Sequence, residues 1–84
     1  MIKTVTWVKD GPYRKKILLL LKQRSYLPSE LAIQLNINRA SISRILKHLK
    51  EKKLVDFVKS SSRTSSYSLT DLGTKLLKLL ENGK

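Results

Sequence analysis

The sequence predicts an α+β fold that is mostly α: a three-helix core, a two-stranded hairpin and a C-terminal helix. Three observations lead there. Residues 31–46, LAIQLNINRASISRIL, set Leu31, Ala32 and Leu35 along one short helical edge and Ile42, Ile45 and Leu46 along another, with Asn36-Ile37-Asn38 as a break between them. The stretches 54–58 and 66–69 are apolar or alternating and flank the polar run 59–65, so they read as the strands of a hairpin. A last run carries Leu72, Leu76, Leu79 and Leu80 on one face at helical spacing, with Leu77 off that face. The 84 residues are expected to form one domain over 1–84, with a core only just large enough to fold alone.

Residues 2–8, IKTVTWV, alternate loosely between Thr and apolar side chains and are read as a short strand. Asp10-Gly11-Pro12 then opens the first helix, with Asp10 as cap and Pro12 in the first turn, where its missing N–H costs nothing. That helix is expected to reach about Arg24. Tyr13, Ile17, Leu20 and Leu21 share its core face, whereas Leu18 and Leu19 point elsewhere. Such a belt means cover on more than one side. Ser25-Tyr26-Leu27 reads as a very short strand before Pro28 starts the second helix at its first position. Ala32 suits a close helix crossing. Asn36 stands where the second helix must end in a left-handed turn, which Asn tolerates better than most residues. Ile37 plugs the corner and Asn38 caps the third helix, which runs unbroken from 39 to about 53. After the hairpin, Thr70-Asp71-Leu72-Gly73 caps the final helix.

Eighteen Lys and Arg stand against six Asp and Glu, a formal net charge of +12. Between residues 39 and 63 the basic set is Arg39, Arg44, Lys47, Lys50, Lys52, Lys53, Lys59 and Arg63, opposed by Glu51 and Asp56. Such imbalance costs stability through self-repulsion and points to a polyanionic partner, nucleic acid ahead of an anionic membrane surface. The longest apolar run, Ile17 to Leu21, is too short for a membrane helix, and the N-terminal residues lack the pattern of a signal peptide. With no cysteine, disulfides and thiolate metal sites are excluded. A cytoplasmic protein with no cofactor and no metal is expected. One histidine and three scattered glycines offer neither a nucleophile–base pair nor a phosphate-cradling loop, so no enzyme is expected.

Helix, short strand, helix, turn, helix, hairpin and helix is the order of a winged helix-turn-helix. Across residues 12–82 the chain resembles the small MarR- and ArsR-like winged-helix transcription regulators, especially the compact versions common in archaea. Four segments carry the resemblance: Pro28-Ser29-Glu30-Leu31-Ala32, residues 41–49 (SISRILKHL), Lys53-Leu54-Val55, and residues 67–73 (YSLTDLG). Asn36 departs from the more usual Gly at the turn. The resemblance implies a regulator that binds double-stranded DNA, as a homodimer. Little lies beyond the DNA-binding unit, so no built-in effector domain is expected, and any small-molecule effector stays open.

Placing the third helix at about 100° per residue sets Ile42, Ile45, Leu46 and Leu49 on one side and Ala40, Arg44 and Lys47 on the other. That outer face is what a recognition helix presents to the major groove. Small residues near its start let it sink towards the bases, and Arg44 is expected to reach guanine O6 and N7. Arg39, Ser41 and Ser43 are assigned to DNA without deciding between base and phosphate. Lys47 and Ser29 are assigned to phosphate. Lys59 and Arg63 flank the wing, 59–65, which is expected on the backbone or in the minor groove.

Blander readings stand beside these. Arg44 and Lys47 would also serve simply to solvate a helix face. His48 reads as a surface residue and Trp7 as a packing residue ahead of a base-stacking one. The Lys50, Lys52, Lys53 cluster complements a helix C-terminus. A non-specific architectural DNA-binding protein, or a winged-helix module binding protein or RNA, is the alternative function. Leu18, Leu19 and Leu77, lying off the core faces, are expected to form a homodimer interface of the terminal helices. The competing account has the N-terminal segment around Val5 and Trp7 fold back and cover them.

Overall fold

The computed structural model describes residues 2–59 and 65–82. Helix α1 spans Ile2–Asp10, α2 Arg14–Gln23, α3 Pro28–Leu35 and α4 Arg39–Glu51. Strands β1 (Val55–Lys59) and β2 (Ser65–Leu69) follow, then α5 (Asp71–Asn82). The expected architecture is present, preceded by one helix that replaces the expected N-terminal strand.

Residues 2–8 are helical because tertiary contacts outweigh the β preference of Ile2, Val5 and Val8. Val5 and Val8, three apart, lie on the face that packs against α2 and α5, and Val8 is fully buried. Asp10 therefore ends α1 and does not cap α2. Gly11 and Pro12 form the turn between them, where Gly11 N–H donates to the Val8 carbonyl at 3.3 Å. Tyr13 takes the N-cap position of α2 without a capping side chain.

Helix α3 starts at Pro28, and the Glu30 carboxylate reaches back to accept the Leu27 N–H at 2.8 Å. It ends at Asn36, held in the left-handed region at φ 54°, ψ 46°. The Ile37 N–H bonds the Ala32 carbonyl (3.1 Å) and the Asn36 N–H bonds that of Ile33 (3.3 Å), the paired closure of a Schellman turn. Asn38 then caps α4, its Oδ1 accepting the Ser41 N–H at 2.8 Å. Turn, plug and cap fall where the sequence places them.

Helix α4 stops at Glu51, two residues before its expected end. The Lys53 N–H donates to the Lys50 carbonyl at 2.9 Å and the Leu54 N–H to that of Leu49 at 3.0 Å, with Lys53 at φ 63°. This is the same closure as at Asn36, built on a residue that signals no break. The antiparallel pair β1–β2 runs in the register Val55↔Leu69 to Lys59↔Ser65. Tyr26 adds a single bridge to Tyr67 on the other edge of β2, as the short 25–27 strand predicts. Thr70 locks the base of the wing: its Oγ1 accepts the Gly73 N–H (3.0 Å) and donates to the Lys53 carbonyl (2.7 Å).

The core gathers Val8, Ile17, Leu18, Leu21, Tyr26, Leu31, Ile42, Leu46, Leu49, Leu54, Val55, Leu76, Leu77 and Leu80. Two of the expected interface leucines, Leu18 and Leu77, are thus fully buried within the chain, and Leu19 packs partly against the same cluster. Helix α1 closes over α2 and α5, which is the fold-back account. Leu79, expected inside, is instead 49% exposed. No described helix is long and apolar enough to cross a membrane.

Candidate nucleic-acid interface

Helix α4 buries Ile42, Leu46 and Leu49 and leaves Arg39, Ala40, Ser43, Arg44 and Lys47 exposed. One face anchors the helix and the opposite one meets solvent. Ser41 is half-buried on the flank, its backbone N–H held by Asn38. After Arg39 at the first position, the exposed face carries the small Ala40 and Ser43 and continues with Arg44 and Lys47. Its geometry admits close approach at the N-terminal end and long, charged reach further along.

Ser29 occupies the second position of α3 and is half-buried. Lys59 ends β1, and Arg63 lies outside the described residues. His48 is exposed on α4. Trp7 is half-buried between two cations: the Arg14 guanidinium lies 4.0 Å from its ring centre and the Lys52 ammonium 5.5 Å away. Arg14 also bonds the Trp7 carbonyl. These contacts make Trp7 a joint between α1, α2 and the end of α4, the packing role expected of it.

Residues 28–51 carry only two acids, Glu30 and Glu51. The Leu27 N–H, with the Arg24 guanidinium 3.5 Å from the carboxylate, holds the Glu30 pKa below its ordinary value. Its charge is thereby committed to the start of α3. On the wing, Phe57 and Tyr67 pair across the strands at 4.7 Å, and the Lys50 ammonium lies 5.0 Å from the Phe57 ring. Partial burial raises the Tyr67 pKa.

A concavity of about 520 Å³ lies beside the N-terminal half of α4. Ile37 and Ile45 contribute its apolar lining, and Tyr13, Asn36, Asn38, Ser41 and Arg44 its polar groups. The sequence pattern places Tyr13 on a core face and gives Asn36 and Asn38 turn chemistry alone. Tyr13 and Arg44 are far apart in sequence, so no local signal joins them. Among the described residues no group of three or more His, Asp or Glu side chains is placed to hold a metal ion.

The model of the winged helix-turn-helix family matches residues 15–84. The chain belongs to the winged helix-turn-helix family. Comparison with curated protein sequences gave no match. Among solved structures, the adhesin competence repressor AdcR of Streptococcus pyogenes superposes with a TM-score of 0.79 at 24% identity, over 87% of this chain and 55% of its own. This likeness is one of fold. Lactococcus lactis ZitR, a zinc-responsive MarR family member, superposes with a TM-score of 0.75 at 26% identity, over 81% of this chain and 49% of its own. Wild-type ZitR in complex with DNA gives a TM-score of 0.70 at 27% identity, over 76% of this chain and 45% of that one. This winged helix thus spans about half the length of the regulators it resembles, and the expected MarR-like architecture stands.

Proposed function

We propose that this chain is a sequence-specific, double-stranded DNA-binding transcription regulator, with α4 in the major groove and the 59–65 wing on the backbone or in the minor groove. One observation carries the reading: a fully anchored α4 presents Ala40, Ser43, Arg44 and Lys47 to solvent directly after a helix-turn-helix corner. ZitR, a structural relative, has been captured on DNA, and the net charge of +12 matches a polyanion. Arg44 takes the base-reading role, by its fork of donors at the centre of the face. Arg39, Ser41 and Ser43 share base and phosphate contacts, while Lys47 and Ser29 hold phosphates. The role is binding and not catalysis.

Selecting bound sites from random duplexes tests this. A specific regulator resists excess random duplex by about 10³-fold or more, and an architectural protein does not. Arg44→Ala is expected to lose about 1–3 kcal/mol of discrimination at one base position, more than Lys47→Ala. Equal losses on selected and random DNA for both variants would remove the base contact.

The proposal includes a homodimer of the terminal helices, on a different surface from the buried leucines. Ile2, Val5 and Leu79, with Thr6 and Lys9, line an apolar concavity of about 400 Å³ between α1 and α5. A second copy seated there would generate a two-fold pair of recognition helices.

A further inference from the structure

The cleft beside α4 joins three separate pieces of the chain: the start of α2 at Tyr13, the turn at Asn36 and Asn38, and the α4 flank at Ser41 and Arg44. Every polar side chain lining it can donate a hydrogen bond, and none is a carboxylate. Asn38 spends its Oδ1 on the Ser41 N–H, which leaves its amide N–H₂ as donor. The Lys16 ammonium, 5.6 Å from the Tyr13 ring centre, sets a cation beside that ring. Among the described residues, no side-chain hydrogen bond uses the Tyr13 hydroxyl.

The size of the major groove says what passes this cleft. An α-helix with its side chains is about 10–12 Å across, and the groove is about 12 Å wide. A helix inserted there has a sugar–phosphate strand close against each flank. The cleft lies on one flank, beside the first turns, where α4 inserts furthest.

The geometry points to Tyr13 as a phosphate-binding residue: its hydroxyl, with Ser41 and Asn38, cradles a backbone phosphodiester of the duplex that α4 reads, while Arg44 at the cleft edge stays free for the base it reads. The inference rests on the DNA-binding reading of α4 and adds α2 to the contact surface. A phosphodiester satisfies the donors and takes the positive charge beside Tyr13. The Ile37 and Ile45 floor suits the sugar edge. Because phosphate contacts carry no base information, Tyr13 sets register and affinity without sequence preference.

Tyr13→Phe keeps the ring, its packing and its contact with Lys16, and removes only the hydroxyl. Its thermal midpoint is expected to match the wild type. Binding is then measured by fluorescence anisotropy on a duplex selected by the wild type, on random duplex, and on the selected duplex with single methylphosphonates scanned along each strand. The variant is expected to bind both natural duplexes about tenfold more weakly, with their affinity ratio unchanged. One methylphosphonate is expected to weaken the wild type by a similar factor and the variant hardly at all. Undiminished binding by Tyr13→Phe, a loss confined to the selected duplex, or full sensitivity of the variant to every methylphosphonate overturns the assignment. If the wild type binds and Arg44→Ala loses discrimination while Tyr13→Phe is unchanged, only the cleft assignment fails. If the wild type binds neither duplex, the DNA-binding reading fails with it.

Discussion

Thr70 Oγ1 bonds both the Lys53 carbonyl and the Gly73 N–H at the base of the wing, and Lys53 and Gly73 each carry a backbone demand that a single substitution probes. Lys53 holds φ 63° so that the Lys53 and Leu54 N–H groups can close α4. A side chain in that region costs about 1–2 kcal/mol relative to the right-handed region, a penalty glycine escapes at some cost in unfolded-chain entropy. Lys53→Gly is expected to raise stability by about 0.5–1 kcal/mol in urea unfolding, and Lys53→Ala to leave it unchanged or lower. A destabilised glycine variant would contradict the left-handed assignment. At Gly73 the balance reverses. Alanine is the better helix former by about 1 kcal/mol, yet its Cβ would collide with the Leu54 carbonyl oxygen and approach Leu69 Cδ1 to 2.7 Å. Overpacking against backbone dominates, so Gly73→Ala is expected to lose about 1–3 kcal/mol, read as a lower urea midpoint at unchanged slope. Neither demand is written in its immediate neighbours, since both arise where α4, the wing and α5 meet.

At the scale of elements, the helix-turn-helix was legible almost residue by residue. Asn36, Ile37 and Asn38 act within a few positions of the helices they join, so their chemistry is local. The wing strands were legible for the same reason; β1 starts one residue later because the Leu54 N–H closes α4, and β2 starts one residue earlier, opposite Lys59. Helix α1 was not. Its threonines and β-branched residues imitate alternation, and only the α2 and α5 surfaces beneath Val5 and Val8 make a helix the lower-energy choice. For the wing itself, the basic residues Lys59 and Arg63 bracket a Ser-rich loop. Neutralising both is expected to reduce the dependence of log K on log salt by roughly two, with modest effect on discrimination. An unchanged slope would place the wing off the duplex.

For the whole molecule, the distribution of apolar surface decides where a second copy would seat. Leu18 and Leu77 are buried in one chain, so charging Leu77 would bury a carboxylate and test only folding. Of the exposed apolar side chains, Ile2 (84%) and Leu79 (49%) lie together at the α1–α5 concavity, whereas Ile33 stands alone on α3 and Phe57 and Val58 belong to the wing. Sedimentation is expected to show a dimer at micromolar concentration and a monomer for Ile2→Glu combined with Leu79→Glu, both folded. A pseudo-palindromic site with half-sites about 34 Å apart would accompany the dimer. A monomeric wild type, or a variant that still dimerises, removes this interface.

The sequence by itself determined the order of elements from α2 onward, the corner and cap of the helix-turn-helix, the pairing of the wing strands and the outward face of α4. Each rests on periodicity or turn chemistry confined to a few consecutive residues. The tertiary structure decided that residues 2–10 are helical, which leucines of α2 and α5 are covered, where α4 stops, and that Tyr13 shares a cleft with Arg44. These depend on surfaces brought together from distant parts of the chain. A helical pattern states which residues share a face, but only the packed neighbours state which faces are buried.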